Sequence, residues 1–239
     1  MRISLNTLLR SIGLIIAGFL SFFVLAQVIV RVIRVAVQSK PTPMPARRAF
    51  LLLSPLRRKL FGTPEQIIEL AGVTPGQRVL EIGPGSGNFT IAMARRVAER
   101  GKPGKVTCVE LQPEMIDLLQ RRLREYHINN VEVVQGDAQA LSLPKESFDL
   151  IFLATVVGEV PDKQALFREC ERVLKPGGVL VVTEQISDPD FRLPAFSRKF
   201  ADSYGFIDAG YVGRPWWCYT ARYLKPSTKG AASPVAAVK

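Results

Sequence analysis

Residues 64–225 predict an α/β fold: a mostly parallel sheet with helices on both faces. Two observations lead there. Short runs rich in β-branched residues alternate with amphipathic stretches of helical period, and Gly/Pro punctuation falls between them. A third observation locates a ligand. A glycine-rich loop follows the first β-like run, and sheets of this class bind beyond the carboxyl ends of their strands.

In order, the runs read as strands are Arg78–Ile82, Lys105–Glu110, Val131–Gln135, Phe148–Leu153 and Val179–Thr183. The stretches read as helices are Phe89–Glu99, Glu114–Tyr126 and Lys163–Leu174. Pro113 suits a helix start, where its missing N–H is not needed. Pro176-Gly177-Gly178 is expected to stop the third helix.

Charge divides the 239-residue chain unevenly. Its formal net charge is +11. Met1 to Pro64 holds ten Lys/Arg and no acid, whereas Glu65 to Leu224 holds nineteen Lys/Arg against twenty-one Asp/Glu. A near-neutral domain with its basic excess in an arm argues against a nucleic-acid-binding domain and for an arm that meets an anionic surface. Within that arm, Ile12–Val30 is uncharged and about as long as a helix needs to cross a bilayer. A secretory signal ending near Ala26 is the competing reading, but the apolar run continues past it into VIVRVIRVAV. Residues 1–38 are therefore expected to form a retained single-pass transmembrane anchor. Five Lys/Arg follow the span closely and two precede it, which puts the domain on the cytoplasmic side. Residues 39–63, with KPTPMP and ARRAFLLLSPLRRKLFG, read as a basic amphipathic linker. Either it lies on lipid phosphates through Arg57, Arg58 and Lys59, or it packs on the domain as a lid. Residues 226–239 read as a disordered tail.

Cys108, Cys170 and Cys218 are scattered and His127 is the only histidine, so neither a disulfide framework nor a zinc site is expected. No metal is assigned.

The loop itself reads VLEIGPGSGNFT. A dinucleotide fingerprint would need glycine at position 88, which is Asn88, and no Lys-Ser/Thr follows for a P-loop. The spacing is instead E-x-G-x-G-x-G, with Glu81 two residues ahead of Gly83. Further along come CVELQPEM, ending a strand at Glu110, then GDAQAL with Asp137, FDLIFLATVVGEV, and RVLKPGGVLVVTE. Four motifs in this order resemble those of the class I S-adenosylmethionine-dependent methyltransferases, of the ubiquinone/menaquinone methyltransferase-like kind. The resemblance implies a Rossmann-like seven-stranded sheet of order 3-2-1-4-5-7-6 with the last strand antiparallel, Ile207–Val212 and Trp217–Leu224 supplying the final pair. It also implies S-adenosylmethionine as cofactor. Its methionine part would meet Glu81, Gly83, Pro84, Gly85 and Gly87, its ribose Glu110 and Leu111, and its adenine Asp137 and Ala138, with Ala154 at the end of the fourth strand.

Methyl transfer needs a protein base only if the acceptor arrives protonated. Glu159, just past the fourth strand, is the expected catalytic residue; Glu184, Asp188 and Tyr204 are further candidates, and His127 is better read at a helix end. With an anchor upstream, the expected acceptor is a small membrane-associated molecule, a phospholipid amine or a quinone-like ring. Alternatives are a soluble small molecule, a protein, or a module that binds S-adenosylmethionine without turnover.

Overall fold

The computed structural model describes residues 10–18, 21–25, 28–29, 44–46 and 54–227. Met1–Pro41 and Thr42–Lys239 are two compact units. In the first unit the described residues are helical and exposed, apolar Leu14 and Phe22 included. Among the described residues no helix is long and apolar enough to cross a membrane. The span Ile12–Val30 lies partly outside them, as do much of the linker and the tail beyond residue 227.

The second unit begins with α1 (Pro55–Phe61) and α2 (Pro64–Ala71). A reciprocal cap starts α2: Gln66 N–H donates to Thr63 Oγ1 at 3.3 Å, and Thr63 N–H to Gln66 Oε1 at 2.9 Å. The alternating part follows as β1 (Arg78–Ile82), α3 (Thr90–Ala98), β2 (Lys105–Glu110), α4 (Pro113–Glu125), β3 (Val131–Gln135), β4 (Phe148–Ala154), α5 (Lys163–Val173), β5 (Leu174–Gln185), α6 (Pro194–Ser203), β6 (Ile207–Arg214) and β7 (Cys218–Leu224).

These strands form one seven-stranded sheet in the order β3-β2-β1-β4-β5-β7-β6, parallel from β3 to β5, with β7 antiparallel to both neighbours. The expected topology is therefore present. Alternate strand residues feed two cores, one on each face. Leu80, Ile82, Ile151 and Leu153 join α5 residues Leu166 and Phe167. Val79, Leu150 and Phe152 join Ile67, Met93 and Leu119 from α2, α3 and α4. Each such side chain, fully buried, contributes about 1.5–3 kcal/mol, so the sheet carries most of the stability.

α5 ends at Val173, one residue short of the bound read from sequence, but β5 begins at Leu174 rather than Val179, so Pro176-Gly177-Gly178 lie inside the strand. Phe148 pairs with Leu174 but Leu150 with Val179, so extra residues bulge out of β5 opposite Asp149. Gly177, at φ 77, supplies the left-handed residue that the bulge requires.

Candidate active site

The reversal of strand order between β1 and β4 opens a crevice above their carboxyl ends. There a cavity of about 330 Å³ is lined by the β1–α3 loop, the end of β2, the loop after β3, the turn after β4, Arg57 of α1 and Met44.

The loop geometry depends on glycine. Gly83 has φ 68, and a Cβ there would stand 2.5 Å from Val156 Cγ2, across the cavity floor. Gly87 has φ 82, and its added Cβ would stand 2.5 Å from Leu119 Cδ1 on α4. Gly83 lines the cavity together with Pro84 and Gly85, whereas Gly87 is a packing position between loop and helix. Gly87→Ala should therefore destabilise the fold by about 2–4 kcal/mol, from left-handed strain plus overpacking. Urea unfolding of wild type and variant measures it; equal midpoints would mean that the loop does not need a glycine there.

Glu110, almost fully buried at the end of β2, is held from three sides. Gly85 N–H donates to Oε2, and the Leu111 and Gln112 N–H groups donate to Oε1, each at 3.0 Å. Three backbone donors fix an acceptor-only carboxylate in one orientation at the cavity wall. Asp137 follows β3. Its Oδ1 accepts from Gln139 N–H at 2.8 Å, and both oxygens lie 2.9 Å from Gln139 Nε2. Leu111, Ala138 and Ala154 also line the cavity.

Glu81 does not. As the second residue from the end of β1 it turns to the same sheet face as Val79, under α3. Thr90 Oγ1 donates to its Oε2 at 2.6 Å, and Cys108 Sγ lies 3.5 Å from the same oxygen. Burial pushes the Glu81 carboxyl up to about 7, against those two hydrogen bonds. A cavity-facing acceptor comes instead from the loop: Asn88 lines the cavity, and its Oδ1 is buried without a hydrogen-bond partner. An amino group on the ligand would satisfy it.

At the other end, the turn after β4 begins with Thr155 at φ 57, a left-handed β-branched residue and so a point of stored strain. Its N–H donates to Thr183 O at 2.8 Å, which ties the strained turn to β5. The turn presents Glu159, whose N–H donates to Val156 O at 2.9 Å. Burial first, then Asp188 and Asp190, push the Glu159 carboxyl up to about 8, against a hydrogen bond from the Met44 backbone. Asp188 and Arg57 line the same end. Burial lowers the Arg57 pKa, with the Asp188 charge opposing that shift. Glu184 is buried in β5 outside the cavity lining, and burial with Asp188 raises its carboxyl well above the usual range. Tyr204 packs on the core, and His127 sits at the end of α4 with φ 53, its N–H donating to Arg124 O.

The structure thus joins Gly83, Pro84, Gly85, Glu110, Leu111, Asp137, Ala138, Ala154 and Glu159 around one cavity. Sequence reasoning missed Met44, Asn88, Gln112 and Gln139, and it gave Arg57 a lipid or lid role rather than a place in the wall. Gln112 and Gln139, each two residues past a site acid, had a positional signal. Met44 and Arg57 had none, since they come from the linker.

Residues 80–182 match the family model of a methyltransferase domain. The chain is 39% identical over 140 residues to the ubiquinone/menaquinone biosynthesis C-methyltransferase UbiE of Shewanella frigidimarina, a match covering 58% of this chain and 53% of that protein. The same-named protein of Shewanella baltica is 37% identical over the same extent. The chain thus spans about half the length of the curated relatives it matches. Among solved structures, an S-adenosylmethionine-dependent methyltransferase from Aquifex aeolicus superposes with a TM-score of 0.68 at 22% identity, over 77% of this chain and all of that one. The [4+2]-cyclase SpnF superposes with a TM-score of 0.60 at 16% identity, over 80% and 100%. The two structures share this fold, which by itself selects no reaction. The domain match over residues 80–182, the curated relatives and the shared fold together support an S-adenosylmethionine-dependent methyltransferase.

Proposed function

We propose that the chain transfers a methyl group from S-adenosylmethionine to a small membrane-associated acceptor, a quinone-like ring or a phospholipid amine. The observation that carries this reading is that one cavity is lined both by the Glu110 carboxylate, held by three backbone amides, and by the buried Glu159 carboxyl with its raised pKa. When bound, S-adenosylmethionine supplies a methyl group activated on its sulfonium. Glu110 accepts from a ribose hydroxyl through the remaining Oε2 lone pair with no reorganisation, the other three being used by backbone donors. Asp137 and Ala138 border the adenine, and Asn88 Oδ1 takes the amino group, with Glu81 behind it acting through Thr90 or water.

Glu159 is the base in this reading, accepting the proton that an acceptor hydroxyl or ammonium gives up on methylation. Arg57 beside it would balance the negative charge that develops on an oxygen acceptor. The names of the curated relatives favour a ring acceptor. The uncharged span Ile12–Val30 and the acid-free basic arm favour one that resides in a membrane, because tethering raises effective concentration for such a substrate. The same reading has the chain anchored by that span with its domain in the cytoplasm, and the arm on anionic lipid.

Incubation of the full chain with S-adenosylmethionine labelled in its methyl group and with native membranes tests it. Label is expected in the organic-extractable fraction. Label in protein or in water-soluble products alone would overturn the acceptor; cofactor binding without any transfer would leave a binding module.

A further inference from the structure

The outer side of α1 and the β6–β7 hairpin is apolar and basic. On α1, Leu56 and Leu60 lie one helical turn apart with Lys59 beside them, and Arg58 is also exposed. The remaining side of α1 is committed to the domain. Arg57 enters the cavity wall, Phe61 stacks on Trp217 at 5.2 Å, and Trp217 Nε1 donates to Leu60 O at 3.0 Å. Leu60 and Leu70 share a second groove with Val212 and Arg214 of β6. The Arg214 guanidinium lies 5.9 Å over the Trp216 ring.

Leu56 is 64% exposed and Trp216 57%, values unusual for side chains of that size. No acid occurs in residues 54–61 or 209–219. β6 is the outermost strand and is exposed along nearly its whole length. Indole and leucine side chains set among Lys and Arg, with no carboxylate between them, suit the boundary between acyl chains and anionic headgroups.

The geometry points to a membrane-docking face formed jointly by α1 and the β6–β7 hairpin, with Leu56, Leu60, Val212 and Trp216 at the acyl boundary and Lys59 and Arg214 on lipid phosphates. It rests for its purpose on the proposed membrane acceptor. Because the adjacent side of α1 supplies Arg57 to the cavity, lipid contact acts on a helix that lines the site, and docking would bring that helix to the surface where a bilayer acceptor resides.

The two tryptophans of the chain are Trp216 and Trp217, so fluorescence excited selectively in tryptophan reports on this hairpin alone. Full-length protein is mixed with vesicles of phosphatidylcholine and phosphatidylglycerol whose acyl chains carry bromine. Tryptophan emission should shift to the blue and be quenched. Trp216→Phe should lose at least about half of the quenching. The double variant K59E/R214E should weaken it by roughly 25-fold or more, since each basic residue near such a surface is worth about a fivefold factor, and the difference should shrink as salt rises. Cofactor affinity of the double variant should match wild type, which confirms its fold.

Unquenched emission from protein that nonetheless sediments with the vesicles would overturn the face and leave the upstream segment as sole attachment. Emission shielded from both bromolipid and aqueous acrylamide, with a dimer by sedimentation, would assign the face to a second copy and overturn it equally. Quenching in a protein that methylates only water-soluble acceptors would keep the docking face and sink the acceptor proposal.

Discussion

Glu110→Ala should lower the affinity for S-adenosylmethionine by about 10- to 150-fold while leaving the fold intact. A hydrogen bond to a charged group contributes about 1.5–3 kcal/mol net, and a ribose diol would engage this carboxylate. The structure adds a reason to expect the upper half of that range. Removing the side chain also releases the Gly85, Leu111 and Gln112 N–H groups that it holds, so the glycine loop and the end of β2 lose their common anchor. Glu110→Gln separates the two contributions. It keeps an acceptor for the Leu111 and Gln112 amides but brings an NH₂ against the Gly85 N–H or the ligand, so its loss should be intermediate. Calorimetric titration of the full chain measures both; wild-type affinity in Glu110→Ala would remove this residue from the site.

The second large effect concerns Glu159. With its carboxyl pushed up to about 8, the base form grows as pH rises through that value, so kcat/KM should climb between about pH 7 and 9. Glu159→Gln should flatten that limb and lower kcat by about 10²- to 10⁴-fold, the usual contribution of a positioned base. Stability should respond in the opposite sense. Unfolded, this carboxyl ionises near 4.5; folded, it holds its proton to about 8, so the stability it contributes is full below 4.5 and is lost as pH rises towards 8. Glu159→Gln should remove that decline too. A variant that keeps both the rate limb and the stability slope would show that another group titrates.

How much of this was legible beforehand follows from the range of the forces involved. β1, β2 and β3 keep the bounds read from sequence: β1 and β2 are short buried runs whose two faces both demand apolar residues, and β3, only partly buried at the sheet edge, is a β-branched run between Asn130 and Gly136. The early start of β5 was not legible, because local propensity sees in Pro176-Gly177-Gly178 only the stop after α5, whereas pairing of Leu174 with Phe148 makes the same residues a bulge. Glu110 was legible from its place at a strand end, but the three amides that hold it were not. The sequence puts Glu81 at the cofactor's amino group, directly or through water, and the structure leaves only the indirect route. Strand parity sends it under α3, and which face of β1 meets the ligand depends on where α3 sits. Arg57 could not be placed from sequence at all. Its role follows from the stacking of Phe61 on Trp217, a contact between residues 156 positions apart that docks α1 beside the cavity.

The central claim is that the cavity above β1, β2 and β4 holds S-adenosylmethionine. It is tested most directly by titrating the full chain, in one calorimetric series, with S-adenosylmethionine, S-adenosylhomocysteine and NAD. One site per chain is expected for the first two, weakened together in Glu110→Ala, with no binding of NAD that survives competition by S-adenosylhomocysteine. Saturable binding of NAD with none of S-adenosylmethionine would contradict it.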